Sequence, residues 1–223
     1  MIKISDILEI IRESWKNSNT YILHYGEGLV LDPGAPRSED STFFPQIVLA
    51  THGHYDHLAG IDTWLSSETA RFYFPEKDLY MLDNETSNAS RFFAHPRVFP
   101  RPDILISNGD VISLGEGLEL ETWETPGHTQ GSSCFLCSEI SGQKKTAIAL
   151  FSGDTFFADS IGRSDFDGGD PKAMRSSIES LRLRLAQLPE TLPVFSGHGR
   201  ASTVSEVLAY NPFFREGGFF GMN

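Results

Sequence analysis

The sequence predicts an α/β fold, in which the loops that follow the strands carry the side chains suited to chemistry. Residues 46–50 (QIVLA) are apolar and β-branched, as expected of a buried strand. Residues 58–65 (LAGIDTWL) are typical of the start of a helix. The loop between them, THGHYDH at residues 51–57, holds three histidines and an aspartate. Open α/β sheets bind ligands on such loops, at the carboxyl ends of their strands.

In the first third of the chain, hydrophobic patterns and turn residues indicate short elements. Residues 7–11 fit either a short helix or a strand. Residues 20–24 and 28–31 are predicted to pair as strands, and Asp32-Pro33-Gly34 ends the second with turn residues. We expect a short helix at residues 37–44.

After the histidine-rich loop, the prediction continues with a strand at residues 70–74 and a helix from Pro75 to residue 82. Residues 84–102 show little periodicity and contain three prolines, so we expect a helical fragment and a long surface loop that acts as a lid. Further strands are expected at residues 104–106, 111–112, 118–123, 134–137, 147–151 and 193–195.

Two helices are predicted in the last third of the chain. Residues 171–188 give the clearest pattern, because Ile178, Leu181, Leu185 and Leu188 lie on one stripe. A last helix is expected at residues 204–210, before an aromatic and glycine-rich tail. Since no low-complexity linker divides the chain and no repeat is visible, we expect a single domain over residues 1–223.

The composition narrows the range of partners and compartments. The 223 residues carry a formal net charge of −12, which repels nucleic acid phosphates and anionic membranes. No stretch approaches the ~20 apolar residues of a membrane span. Charged residues interrupt the first 14 residues, so no signal peptide is predicted, and we expect a cytoplasmic protein that acts on a small molecule. The oligomeric state stays open.

The two cysteines, Cys134 and Cys137, form a C-x-x-C pattern that invites a redox or zinc interpretation. Their surroundings are apolar and strand-like, and residues three apart in a strand face opposite ways. We therefore expect two buried strand cysteines, without a disulfide framework.

The histidine-rich loop has the chemistry of a metal site. His52 and His54 are two residues apart, so both rings point the same way in extended backbone. Neutral imidazoles and a carboxylate suit zinc or another borderline divalent ion. The alternative is a set of solvated loop side chains, with Asp56 as a helix cap.

Three further candidates follow strand-like segments and come directly after a glycine, as His54 does: His128, Asp154 and His198. Glycine suits backbone that is crowded around a metal, where ligand bonds are only ~2.0–2.3 Å long. His24 and His95 lack this context, and we expect them to be structural or exposed.

At this point the sequence resembles a known family. THGHYDH resembles the H-x-H-x-D-H signature of the metallo-β-lactamase-fold superfamily, and the later GH, GDT and GHG motifs at His128, Asp154 and His198 follow in the family's order. The match runs over residues 21–212 and includes the early DPG turn at residues 32–34. GDTFFADSIGRSDF, followed by GGD, resembles glyoxalase II-like thioesterases and also persulfide dioxygenases.

The resemblance implies an αββα sandwich, in which two mixed sheets pack face to face with helices on the outer faces. It also implies two metal sites that share a bridging ligand. The first ion would be held by His52, His54 and His128, the second by Asp56, His57 and His198, and Asp154 would bridge them. Zinc is the expected metal, with iron or manganese as alternatives.

The implied activity is hydrolysis of a small acyl thioester by a hydroxide that bridges two divalent ions. Asp154 and Asp56 would be the catalytic carboxylates, Asp56 also accepting the proton of the bound water. Glyoxalase II proper has a C-terminal helical extension that contacts glutathione. We expect the sequence up to Asn223 to lack most of that extension, so the identity of the thiol carrier stays open.

Alternative functions are oxidation of a persulfide by a single iron, hydrolysis of another ester, lactone or lactam, and metal-stabilised binding without catalysis. The complete second ligand set favours a two-metal hydrolase over the single-iron enzyme and over a purely structural site. The sequence contains no G-x-S-x-G motif that would indicate a serine nucleophile.

A cation is expected to contact the substrate. Arg163 lies where glyoxalase II-like proteins place a basic residue, and it would clamp a substrate carboxylate. The alternative is an ion pair with Asp159, Asp165, Asp167 or Asp170. Arg200 is a weaker candidate of the same kind.

Overall fold

The computed structural model describes residues 2–12, 18–215 and 217–218. The end of the predicted aromatic tail, residues 219–223, lies outside the described residues. Within the described residues, two six-stranded sheets pack face to face. The first contains, in spatial order, β1 Leu8–Ile11, β2 Thr20–Leu23, β3 Leu29–Leu31, β4 Ile47–Leu49, β5 Arg71–Pro75 and β6 Ile104–Ile106. The second contains β12 Ser202–Thr203, β11 Pro193–Ser196, β10 Lys144–Gly153, β9 Ser133–Ser141, β8 Leu118–Glu124 and β7 Val111–Gly115.

The helices are short, with one exception. They are α1 Ile4–Ile7, α2 Tyr55–Leu58, α3 Ile61–Trp64, α4 Pro171–Leu185 and α5 Val204–Tyr210, with 3₁₀ turns at Glu76–Met81 and Pro212–Phe214. Among the residues that the structure describes, no helix combines the length and apolar character that crossing a membrane requires.

Both sheets are mixed, and their parallel strands set the position of the functional loops. Strands β3, β4, β5 and β6 run parallel to one another, and β10 runs parallel to β11. The remaining pairs are antiparallel. Because parallel neighbours end at the same edge of a sheet, the loops after β3, β4 and β5 start side by side.

Three apolar clusters hold the layers together. Leu31 and Leu49 of the first sheet pack against Phe135 and Phe151 of the second, between the sheets. The outer face of the first sheet is covered by α2 and α3, with Trp64 fully buried. The predicted stripe of α4, including Ile178, covers the outer face of the second sheet. The αββα sandwich expected from the sequence is confirmed.

The two cysteines lie as the strand pattern predicts. Cys134 packs among side chains on the outer face of the second sheet, whereas Cys137 belongs to the cluster between the sheets. Both thiols are free, and burial raises their pKa values to about 11 and about 12. They therefore serve as small apolar side chains at neutral pH.

Three helical predictions differ from the structure. The helical fragment expected within residues 84–102 was wrong, because this segment forms turns and irregular structure. The helix expected at residues 37–44 was wrong, since this segment is irregular. Here the Arg37 amide donates to the hydroxyl of Thr63 and the Ser41 amide to the carbonyl of Ser38, so turn contacts replace a helical ladder. The helix expected from residue 58 begins earlier, at Tyr55, and is interrupted before α3.

Candidate metal centre

The loop after β4 is held by a carboxylate at the end of β3. Asp32 accepts the amide of Thr51 at 2.8 Å and its hydroxyl at 3.1 Å, and its Oδ2 lies 3.0 Å from Nδ1 of His57. Its backbone adopts a φ of 52°, which aspartate tolerates better than most residues. The DPG turn therefore orients the histidine-rich loop as well as ending a strand.

Three imidazoles converge on the first of two points. Nδ1 of His54 lies 3.1 Å from Nε2 of His52 and 2.9 Å from Nε2 of His128. These three nitrogens lie within 4.8 Å of one another, and all three residues are buried. His52 and His54 point the same way, as their spacing predicts.

The second point is surrounded by a carboxylate and two imidazoles. Oδ2 of Asp56 lies 3.0 Å from Nε2 of His198 and 3.9 Å from Nε2 of His57. Asp56 and His57 are brought there by the first turn of α2, while His198 comes from the loop after β11. Side chains from both sheets therefore meet at one edge of the sandwich.

Asp154 lies between the two groups, directly after β10. Its Oδ1 is 3.4 Å from Nε2 of His57, and its Oδ2 is 3.5 Å from Nε2 of His198 and 3.7 Å from Nε2 of His128. One carboxylate thus faces both groups. The structure brings all seven residues expected from the sequence into a single cluster.

The glycine that precedes His198 is required by the crowding. A Cβ at Gly197 would overlap Oδ1 of Asp154 and lie 2.6 Å from Cε1 of His57. Gly153, before Asp154, adopts a φ of 49°, and a Cβ there would lie 2.7 Å from the hydroxyl of Thr51. Glycine therefore gives ligand side chains room at Gly197, while at Gly153 it makes room for Thr51 and permits the positive φ.

The electrostatics of the cluster favour neutral imidazoles in the first group and ionised carboxylates. Burial lowers the pKa of His52 far below its usual range, and that of His54 to about 3. Burial alone would raise the pKa of Asp56 and Asp154, but the adjacent His57 and His198 outweigh it and lower both. Imidazole lone pairs and carboxylate charges are therefore available for a cation.

The second group favours a positive charge. Burial alone would lower the pKa of His57, yet three carboxylates, of which Asp32 has the largest effect, raise it well above its usual range. Within the described part of the chain, buried Nε2 of His57 and Oδ1 of Asp154 have no hydrogen-bond partner. These buried atoms can ligate a metal ion, and their surroundings favour a positive charge. Both features fit a divalent cation.

Further contacts orient the imidazoles. The hydroxyl of Thr51 lies 3.0 Å from Nδ1 of His52, and the backbone carbonyl of Arg163 lies 2.6 Å from Nδ1 of His128. Such contacts fix the ring and leave the other nitrogen free to bind.

Asp78 is a supporting residue that the sequence did not reveal. Its carboxylate accepts the Gly53 amide at 3.0 Å, the Gly131 amide at 2.6 Å and the Thr129 hydroxyl at 2.6 Å. It thereby joins the loop of His52 and His54 to the loop of His128. It lies in a 3₁₀ turn whose pattern resembles an ordinary surface helix, so no motif marks it.

We expect Asp78→Ala to destabilise the protein by roughly 3 kcal/mol, because it leaves the amides of Gly53 and Gly131 unsatisfied in a buried position and removes one of the two partners of the Thr129 hydroxyl. Metal affinity should fall as well, since Asp78 no longer joins the loop of His52 and His54 to the loop of His128. Thermal unfolding and metal titration measure the two effects. Asp40→Ala, at an exposed position, is the control. An Asp78→Ala protein as stable as that control would contradict this role.

The cluster opens into a cavity of about 610 Å³. Its walls contain four phenylalanines, Phe92, Phe93, Phe157 and Phe166, together with Arg163. Arg163 lines the cavity, as a substrate contact would require. Its guanidinium also forms two 2.7 Å hydrogen bonds with Asp165, as the ion-pair interpretation expects.

The other candidates lie apart from the described cavity lining. Arg200 is exposed and pairs with Glu206 at 3.4 Å. His24 is exposed and contacts Glu9 at 2.7 Å, and the ring of His95 stacks on Tyr55. These observations agree with the structural or exposed roles expected for both histidines.

The fold and this cluster define a class of protein. The chain belongs to the metallo-β-lactamase superfamily, whose model matches residues 14–198. Proteins with this fold bind divalent metals and include metallohydrolases, in agreement with the histidine-rich cluster.

Two curated relatives cover most of the chain. A probable metallo-hydrolase of Bacillus subtilis is 30% identical over 200 residues, which are 86% of this chain and 90% of the relative. The hydroxyacylglutathione hydrolase GloC of Haemophilus influenzae is 30% identical over 200 residues, which are 82% of this chain and 85% of the relative.

Two solved structures are similar throughout. The BLEG-1 B3 metallo-β-lactamase has a TM-score of 0.77 and 28% identity, and the match covers 93% of this chain and 99% of that one. TTHA1623, solved in a di-iron-bound form, has a TM-score of 0.72 and 26% identity, covering 92% of this chain and 99% of that one.

Proposed function

We propose that this protein is a metal-dependent hydrolase of small acyl thioesters that uses two divalent ions. The observation that carries the proposal is the convergence of seven buried or half-buried side chains on two adjacent points that share Asp154. The assignment of ligands is the one expected from the sequence. His52, His54 and His128 would hold one ion, Asp56, His57 and His198 would hold the other, and Asp154, which lies between the two groups, would be shared.

The donor atoms support zinc, because imidazole nitrogens and carboxylate oxygens suit it and thiolates are absent from the cluster. The di-iron form of the related TTHA1623 makes iron the main alternative. When bound, two divalent ions supply a water that is deprotonated at neutral pH and polarise the acyl carbonyl.

The chain's own residues perform the remaining work. Asp154 keeps its charge through contacts with His57 and His198, and so holds the two groups together. Asp56 lines the cavity, where it would accept the proton that the attacking water loses. A thiol leaving group, with a pKa near ~8.5, departs as thiolate without a strong general acid.

Thioester hydrolysis is supported by the relative named hydroxyacylglutathione hydrolase and by the GRSDF stretch at residues 162–166, which forms one wall of the cavity. The cavity volume also lies in the range of small-molecule sites.

The test is a panel of acyl thioesters assayed with the metal-replete protein, before and after treatment with a chelator. We expect hydrolysis that the chelator abolishes and that added zinc, iron or manganese restores. Failure of the replete protein to hydrolyse any thioester, or activity that chelation leaves unchanged, would contradict the proposal.

β-Lactam hydrolysis is a second candidate, favoured by the similarity to the BLEG-1 enzyme. A chromogenic cephalosporin in the same assays separates it from thioester hydrolysis. Oxygen uptake with a persulfide substrate tests the single-iron alternative, which the second donor group of Asp56, His57 and His198 makes less favourable.

A further inference from the structure

The cavity above the metal centre is lined by four aromatic rings, Phe92, Phe93, Phe157 and Phe166, which we call the aromatic rim. We infer that the aromatic rim selects thioesters that carry an aromatic or branched aliphatic group next to the scissile carbonyl. This inference rests on the proposed thioesterase function. A carboxylate on the substrate is not the feature that the site recognises.

Aromatic rings adjoin both halves of the metal centre. The ring of Phe166 lies 5.8 Å from that of His54 in the first group, and the ring of Phe157 lies 6.4 Å from that of His198 in the second. A carbonyl placed between the two groups therefore has an aromatic wall on either side. Apolar area buried against these walls contributes to binding in proportion to its size.

Phe92 is the most exposed member of the rim, with 70% of its surface accessible to solvent. Its ring lies 5.6 Å from that of Phe166, so the two form the outer wall of the cavity. An exposed apolar surface at the entrance of a site is typical of a binding surface.

The segment that carries Phe92 is anchored on both sides. The neighbouring Phe93 stacks on Tyr55 of α2 at 5.3 Å. The Ser87 hydroxyl donates to Asp167, which follows Phe166 in the opposite wall. The backbone that carries the exposed ring is thus held at the cavity entrance, so less conformational entropy is lost when an apolar group binds.

Arg163 is poorly placed to grip an anion. Its guanidinium is paired in a bidentate manner with Asp165 and lies 3.8 Å above the ring of Phe166. The pair is exposed and therefore weak, but a substrate carboxylate that displaced Asp165 would remain beside its negative charge. Among the described residues that line the cavity, Arg163 is the single lysine or arginine.

The net charge of the whole chain also disfavours anionic substrates. A net charge of −12 disfavours approach of an anionic thioester, and the paired Arg163 leaves little local positive charge to offset it. An uncharged apolar substrate avoids both costs. The Arg163 guanidinium then contributes by packing over the ring of Phe166 and supporting that ring in the cavity wall.

The experiment compares two thioesters of one thiol, a phenylacetyl and a succinyl derivative, by kcat/KM. We expect the phenylacetyl compound to be preferred at least roughly tenfold. Phe92→Ala and Phe166→Ala should each raise KM for that compound roughly five- to thirtyfold, with kcat little changed. Phe44→Ala is the matched control, because Phe44 is exposed, packs 4.1 Å beneath Arg37 and is not among the residues that line the cavity.

Arg163→Gln distinguishes the two interpretations of that residue. If Arg163 supports the rim by packing on Phe166, the variant should raise KM for the phenylacetyl compound at least as much as for the succinyl compound. Preference for the succinyl compound, or a loss confined to it in Arg163→Gln, would overturn the inference.

Binding of non-hydrolysable thioethers, measured by calorimetry, separates this inference from the proposed function. A phenyl-bearing thioether should bind the wild-type protein more tightly than its carboxylated analogue, and Phe92→Ala should reduce the difference. This result supports the aromatic rim even if no thioester is hydrolysed. Equal binding of the two thioethers would overturn the inference even if thioesters are hydrolysed.

Discussion

Asp154→Asn is expected to lower kcat for thioester hydrolysis by several orders of magnitude while leaving the fold intact. Asparagine has the size of aspartate, but it lacks the charge that faces His57, His128 and His198. One carboxylate oxygen also becomes an amide that donates instead of accepting. Both changes act on the side chain that lies between the two donor groups.

Steady-state kinetics, circular dichroism and metal content should be measured on the same preparation. Asp159→Asn, an exposed aspartate five residues along the chain, is the matched control and should resemble the wild type. Near-normal hydrolysis by a folded, metal-replete Asp154→Asn protein would rule out the bridging role of this residue.

Gly197→Ala should have the second largest effect, a loss of at least roughly a hundredfold in turnover together with weaker binding of one ion. The new methyl group would overlap Oδ1 of Asp154 and approach Cε1 of His57 to 2.6 Å. The backbone of Gly197 is outside the left-handed region, so the substitution introduces no backbone strain of its own. The damage should therefore arise from the displaced ligands.

Gly142→Asn is a suitable control for Gly197→Ala. Gly142 adopts a φ of 61° in the hairpin between β9 and β10, where asparagine is tolerated and a Cβ meets no atom within 4 Å. The control should keep two ions and full activity. A Gly197→Ala protein that does the same would show that the crowding is relieved by movement of the loop.

The donor residues were predictable because each follows a buried strand, mostly through a glycine. Buried strands such as β4 give continuous apolar runs, and the polar residues directly after them stand out. Parallel pairing then places the ends of these strands at one edge. That residues as distant in the sequence as Asp56 and His198 would share one point came from the family resemblance, because spacing alone does not fix it.

The supporting residues were not predictable for a physical reason. Asp78 and Asp32 act through hydrogen bonds to partners that are distant in sequence, while locally they resemble turn or surface aspartates. The wrong helix at residues 37–44 has a similar origin, since Thr63 captures the Arg37 amide from another element. Tertiary contacts decide such positions, and local patterns do not contain them.

The hairpin of β9 and β10 extends further than its apolar core. The predicted strands stop at Cys137 and start at Ala147, where the continuous apolar pattern is lost. In the structure, pairing continues to Ser141 and Lys144 through alternating, partly exposed residues. Backbone hydrogen bonding and the tight turn at Gly142 support this extension without a buried face.

The central claim is a site for two divalent ions, and elemental analysis after mild purification tests it most directly. The converging donors of His52, His54 and His128 and of Asp56, His57 and His198, with Asp154 between them, predict close to two divalent ions per chain. A reproducible value near one that does not change when zinc, iron or manganese is added would contradict the account.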